Sequence, residues 1–334
     1  MTEGDRHATP APRSTDAMTA PRPAGIPVTV RAPAKVNVQL AVGGLRPDGF
    51  HDLANVFLAV SLHDTVTASP CDTLEITCTG PGAAQVPLDD TNLAVRAARL
   101  LAARHGRAPG VRLHIDKDIP VAGGMAGGSA DAAAALLACD TLWGTATPRA
   151  ELLKLCAELG SDVPFALAGG VALGRGRGEL LTALEVTGTF HWVFALADGG
   201  LSTPAVYREC DRLREAAGTG FTADEVPAPE PDPELLAALR EGDAGALAGA
   251  LANDLQPAAL SLRPALAATL DAGRAAGALA GLVSGSGPSC AFLTADAASA
   301  LAVAEALEKS GTCRAARTAT GPVPGAAAVD GTVG

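Results

Sequence analysis

The stretch P-V-A-G-G-M-A-G-G-S-A-D, Pro120 to Asp131, decides how this chain reads. Before it, Val111, Leu113 and Ile115 alternate with Arg112 and His114, a period-two pattern that predicts a strand running into Ile119-Pro120. After it, Ala130 to Trp143 is dominated by Ala and Leu, whose helix propensity and apolar face predict a helix. A glycine-rich turn between strand and helix gathers unsatisfied backbone N–H groups and the positive end of the helix dipole at one point, which favours an anion. No Gly-Lys-Ser/Thr closes the loop, so it is not a Walker A loop. On spacing alone it reads equally as a phosphate cradle and as a structural tight turn.

Outward from the loop the pattern is mixed. Val28, Val30, Val36, Val38 and Leu40 are spaced by twos and predict a strand, as does Phe57 to Thr67. Asn92 to His105 places Leu93, Ala97, Leu100 and Leu101 on one helical stripe, with Thr91 available as a cap and Gly106 as a stop. A strand is expected at Trp192 to Leu196, a solvated acidic connection near 215–233, and helices from Pro233 to about Ala280. A short strand at Ala291 to Leu293 and a helix from Ala298 to Lys309 follow. Two more glycine segments stand out, G-G-V-A-L-G-R-G-R-G at 169–178 and S-G-S-G at 284–287. The division expected is a disordered tail at 1–27, lobes at 28–168 and 169–317, and a loose tail at 318–334.

Composition sets the limits. A chain of 334 residues is comfortable for two packed lobes, and with 48% hydrophobic residues but 3% aromatics its core must rest on Ala, Val and Leu. A net charge of −11 gives no attraction for a phosphate backbone, so small-molecule substrates are expected and nucleic acid is not. The seven cysteines are scattered, without C-x-x-C or zinc spacing, and read as reduced thiols. No signal-peptide h-region and no apolar run of about 20 residues is visible, so a cytoplasmic protein without a membrane contact is expected.

Lys35 in A-P-A-K-V-N and Asp162 in G-S-D-V-P-F are, taken singly, a surface lysine and a turn aspartate. Taken with the glycine segments, the set resembles the GHMP kinase superfamily across nearly all of residues 28–300. Pro120 to Asp131 resembles its phosphate loop, and S-G-S-G-P-S at Ser284 to Ser289 its C-terminal glycine motif with Gly285, Ser286 and Gly287. A-K-V-N, R-P-D-G-F-H at Arg46 to His51, G-G-S-A-D and G-S-D-V-P-F together look like one branch, whose acceptor alcohol carries a cytidine diphosphate.

The resemblance implies a two-lobed α+β fold with ATP and acceptor meeting in the cleft between lobes. It implies Asp162 as the base near the acceptor hydroxyl and Lys35 as its charged neighbour. It places Pro120, Val121, Ala122, Gly123, Gly124, Met125, Ala126, Gly127, Gly128 and Ser129 around the ATP phosphates, with Ser129 near Mg²⁺ or phosphate. Asn37, Phe50, His51 and Tyr207 would line the acceptor site, the aromatics and the histidine holding the cytosine, with a ring N–H of His51 aimed at its N3. The chain departs from the pattern at Phe50, where relatives commonly have Tyr, and at Gly124-Met125-Ala126, where they have Gly-Leu-Gly. Arg175 and Arg177 read either as extra cations for polyphosphates or as solvated surface charges, and Asp131 as a first-turn helix residue rather than a metal ligand. The alternatives left open are another GHMP kinase, of the homoserine or mevalonate type, and a non-catalytic sensor on the same fold.

Overall fold

The computed structural model describes residues 26–121 and 123–329. The strands are β1 Val28–Leu45, β2 His51–Ser69, β3 Leu74–Thr79, β4 Val111–Asp116, β5 Val171–Arg175, β6 Leu180–Ala183, β7 Phe190–Leu196, β8 Ala252–Asn253, β9 Ala280–Val283, β10 Cys290–Thr294, β11 Ala315–Gly321 and β12 Ala327–Ala328. The helices are α1 Leu93–Arg104, α2 Gly127–Trp143, α3 Arg149–Leu159, α4 Val163–Ala168, α5 Thr203–Ala216, α6 Pro233–Glu241, α7 Ala244–Ala250, α8 Gln256–Leu262, α9 Ala265–Ala275 and α10 Ala297–Ser310.

One sheet runs β12-β1-β2-β4-β3, with β5 on β2, β6 on β5 and β8 on β1; the other runs β11-β7-β10-β9. The long antiparallel pair β1 and β2 is bulged between Pro33 and Ala34 and again between Asn37 and Gln39. Bulges bend the ribbon and re-aim side chains. From Ala32 to Leu40 every residue of β1 is buried, so the strand is covered on both faces and polar groups on it must find partners inside. One cover is α2, whose buried Ala130, Ala132 to Ala135 and Leu136 pack it against β1, β2 and α1. Alanine loses no side-chain entropy on burial and permits close approach, which suits a core poor in rings. Around the second sheet, Phe292 fills a core with Val193, Val283, Leu266 and Leu270, and a Cβ on Gly273 or Gly281 would lie 2.2 or 2.5 Å from its ring.

Several expectations are corrected. Asn92, not Thr91, caps α1, its side chain accepting from Ala94 N at 2.8 Å, while Thr91 bonds to Asp89. Helix α2 begins three residues earlier than the Ala/Leu run implies, because glycines 127 and 128 are wound into its first turn. The first sheet extends past 168/169 to Ala183 through β5 and β6. The connection at 217–232 is strapped to the first sheet rather than simply solvated. Leu45 N donates to Phe221 O at 2.6 Å, Ala223 N to Leu45 O at 2.9 Å, and Gln39 bonds Glu230 O and Asp232 N. The segment expected as a loose tail from 318 carries the end of β11 and all of β12, which pair with β7 and β1. Residues 1–25 and 330–334, the remainder of the two expected tails, lie outside the described residues. All seven cysteines are free thiols, four of them buried.

Candidate active site

Lys35 and Asn37 lie two apart on β1 and face the same way. The Lys35 ammonium donates to Asn37 Oδ1 at 2.5 Å, and Asn37 Nδ2 donates to Asn55 Oδ1 on β2 at 2.6 Å, so the amide is oriented from both sides. Asp162 ends the turn between α3 and α4 and holds no backbone N–H with its side chain. Its Oδ2 stands 3.8 Å from Lys35 Nζ, and its side chain remains 33% exposed against 7% for the lysine. Burial pulls the Lys35 ammonium below the usual lysine range, and the Asp162 charge only partly restores it. The carboxylate is therefore the open member of the pair and the ammonium the buried one.

The glycine loop passes over this pair. Lys35 N donates to Met125 O at 3.2 Å, and the Met125 side chain is fully buried, which pins the loop to β1. Ala126 stands at φ 61°, ψ 32°, in the left-handed region, immediately before α2. Gly124 abuts the C-terminal glycine motif so closely that a Cβ there would lie 2.2 Å from Ser284 O, and Ser284 Oγ donates to Gly124 O at 3.2 Å. Gly285 in turn leaves 3.3 Å between its missing Cβ and both Lys35 Nζ and Asn37 Oδ1. Asn253 clamps that motif through Val283 O and Gly285 O at 2.7 and 2.8 Å. Ser286 Oγ lies 2.9 Å from Thr203 Oγ1, and Gly287 takes φ 78°. Two glycine segments some 160 residues apart in sequence thus form one floor.

Two cavities share that floor. One, of about 300 Å³, is lined by Pro120, Val121, Gly123, Gly127, Gly128 and Asn92. The other, of about 830 Å³, takes in Lys35, Asn37, Phe50, His51, Ser129, Asp162 and Tyr207. Gly124 and Ala126 line both. Ala122 lies outside the described residues.

At the far end of the larger cavity Phe50 is 48% exposed, with the Arg177 guanidinium 5.0 Å from its ring centre. His51 is buried, its ring 5.1 Å from that of Tyr207 at 35°. Its Nε2 is 2.9 Å from Asp211 Oδ1, so the ring N–H expected to face a ligand is in part already spoken for by a carboxylate. Burial pushes the Tyr207 hydroxyl well above the usual phenol range, keeping it neutral. Arg177 lines the cavity, whereas Arg175 pairs with Glu230 at 2.7 Å away from it.

Family descriptions match both halves: "GHMP kinases N terminal domain" over residues 92–170 and "GHMP kinases C terminal" over 235–313. A 4-diphosphocytidyl-2-C-methyl-D-erythritol kinase of Streptomyces avermitilis is 73% identical over 90% of this chain and 98% of its own. The chain belongs to the GHMP kinase family, in the branch of the 4-diphosphocytidyl-2-C-methyl-D-erythritol kinases. The kinase of that name from Salinispora arenicola is 59% identical over 92% of this chain and 96% of its own. A crystal structure of 4-(cytidine 5'-diphospho)-2C-methyl-D-erythritol kinase superposes with a TM-score of 0.70 at 33% identity, covering 87% of this chain and 98% of that one. The L. major mevalonate kinase, at 15% identity and a TM-score of 0.71, shares the fold.

Within this GHMP kinase, sequence reading missed a buried ion triad under the loop. Lys117 Nζ bonds Asp64 and, at 2.7 Å, Asp131 Oδ2, while Asp64 Oδ1 accepts from the backbone of Asp118 and Ile119, both at 2.8 Å. Asp131, expected as a first-turn residue favoured by the helix dipole, is a buried ion-pair member, and its Oδ1 has no hydrogen-bond partner. Arg208, Asp211, Thr203 and Asn55 also line the larger cavity and had no sequence signal, being polar residues that flank no glycine motif.

Proposed function

We infer that this GHMP kinase transfers the γ-phosphoryl group of ATP to a hydroxyl of 4-diphosphocytidyl-2-C-methyl-D-erythritol, a step of the methylerythritol phosphate route to isoprenoid precursors. The observation that carries the reading is the Lys35–Asp162 pair, 3.8 Å apart, lining the larger cavity beside the Gly124 and Ala126 that line both. The loop from Pro120 to Ser129 takes the ATP phosphates on its N–H groups and the start of α2, and the larger cavity takes the acceptor. The acceptor oxygen forms the new bond to phosphorus, the bond to the β-phosphate oxygen breaks, ADP leaves, and Asp162 receives the hydroxyl proton. General-base help of this kind is worth about 10²–10⁴ in rate. Lys35 neutralises charge on the group in flight, which is most of what phosphoryl transfer asks of a protein.

Mg²⁺ suits the residues present. Ser129 and Asp162 offer oxygens to one cavity, and among the described residues no three His, Cys, Asp or Glu side chains cluster as a metal cage. That donor set fits an ion carried mainly by phosphates and water, as Mg²⁺ prefers, with Ser129 as the protein's own ligand. When bound, it neutralises phosphate charge. Asn37, Phe50, His51 and Tyr207 hold the cytidine end of the acceptor, and Arg177 adds a cation there.

The test is ADP release from ATP with the diphosphocytidyl acceptor, homoserine and mevalonate in parallel. Turnover with the first alone is expected. Turnover with homoserine or mevalonate instead reassigns the acceptor, and none with any of the three returns the fold to a sensor.

A further inference from the structure

Asp211 projects from α5 one helical turn beyond Tyr207, and both side chains meet His51 from that helix. The contact joins residues 160 apart in sequence and is nearly sealed: the two side chains are 6% and 14% exposed. A carboxylate only accepts, so the Nε2 it touches carries the proton. In the neutral imidazole the other nitrogen, Nδ1, is then an acceptor. Nδ1 makes no hydrogen bond among the described residues, and His51 lines the larger cavity.

We propose that Asp211 is a specificity-determining positioning residue: by holding His51 in the Nε2–H tautomer it presents Nδ1 as a bare acceptor that selects cytosine over uracil. This rests on the acceptor assigned above. Cytosine carries an N4 amino donor where uracil carries the O4 acceptor. A bare Nδ1 pairs with the first and opposes the second, so the contact runs to N4 rather than from a ring N–H to N3. Tyr207 packs at a tilt of 35° against the imidazole, so both neighbours that orient the ring come from one helix. An unpaired buried acceptor lowers affinity about ten- to more than a hundredfold, which bounds the preference one such contact confers.

Two measurements test it. In full-length protein with ¹⁵N-labelled histidine, the His51 signals are picked from six histidines by their loss in His51→Ala. At assay pH they should show a protonated Nε2 and a bare Nδ1, with Nδ1 shifting when CDP is added. A protonated Nδ1, or an Nδ1 indifferent to CDP, overturns the proposal. In steady-state kinetics wild type should favour the cytidine acceptor over its uridine analogue by tenfold or more. Asp211→Leu should cut that preference about tenfold through KM of the cytidine compound, leaving KM for ATP alone, whereas Asp211→Asn, which keeps an accepting oxygen, should retain most of it. Full preference in a folded Asp211→Leu sinks the inference by itself. Wild type that turns over neither analogue sinks the acceptor assignment and this inference together, and an Asp211→Leu that fails to fold leaves the decision to the spectra.

Discussion

Lys35 is asked to be charged in a place where charge is costly. Its neighbours on β1 are buried, and burial lowers its affinity for a proton relative to the unfolded chain. Between its folded value and the ordinary 10.5 the unfolded state binds more protons, so stability rises with pH through that window. Lys35→Met removes the buried charge, and we expect it to abolish turnover without lowering the melting temperature and to flatten that rise, as calorimetry across alkaline pH would show. Asp162→Asn keeps size but loses basicity; kcat should fall at least a hundredfold with KM for either substrate within a few-fold. Unchanged kcat would remove Asp162 from the proton's path. Both residues were legible from their short motifs, but not that one is buried and the other open.

Helix α2 shows at the level of an element how a departure from the family pattern is absorbed. Position 126, where the resemblance implies a glycine, is an alanine, yet the backbone keeps φ 61°, because Met125 is anchored in the core and glycines 127 and 128 must start the helix. A left-handed conformation costs a residue with a Cβ about 1–2 kcal/mol. Ala126→Gly should recover roughly 1 kcal/mol in denaturant unfolding; a loss of stability would mean the alanine methyl packs usefully. In the same first turns, burial pushes Asp131 up to about 7 despite Lys117, with the like charge of Asp64 adding to the rise. A carboxyl raised on folding binds more protons in the native state from about pH 4 to 7, so it subtracts stability as pH climbs through that range. Asp131→Asn should therefore gain on wild type between pH 4 and 7. Parallel melting curves for the two proteins would refute the shift.

On the scale of the whole molecule, the last strands tie the two sheets together. Arg317 on β11 makes two bonds to Asp118 beside the glycine loop, at 2.9 and 2.8 Å. Beyond it, Val323 N donates to Ala59 O at 3.1 Å, Gly170 N to Val323 O at 2.8 Å and Ala326 N to Ala166 O at 2.9 Å. Ending the chain at Arg314 should drop the melting temperature by roughly 10 °C or more and cost activity, since it strips an edge strand from each sheet. A truncated enzyme as stable as the full chain would restore the reading of this segment as a loose tail.

The sequence by itself determined the β-rich opening, the strand–glycine loop–helix unit, the order of the four motifs and, through them, the family and the Lys35–Asp162 pair. Those signals are local: alternation, helical spacing and glycine runs each act within a few residues. Only the tertiary structure decided that the loop at 123–129 and the motif at 284–287 make one floor, that Asp131 is bound to Lys117 and Asp64, and that Asp211 reaches His51. It alone also showed that the chain's last described strands pair with β7 and β1. Such contacts join residues up to about 300 positions apart, Val30 to Ala328 among them, and a polar side chain acquires its partner, its burial and its proton affinity from the packing that brings them together.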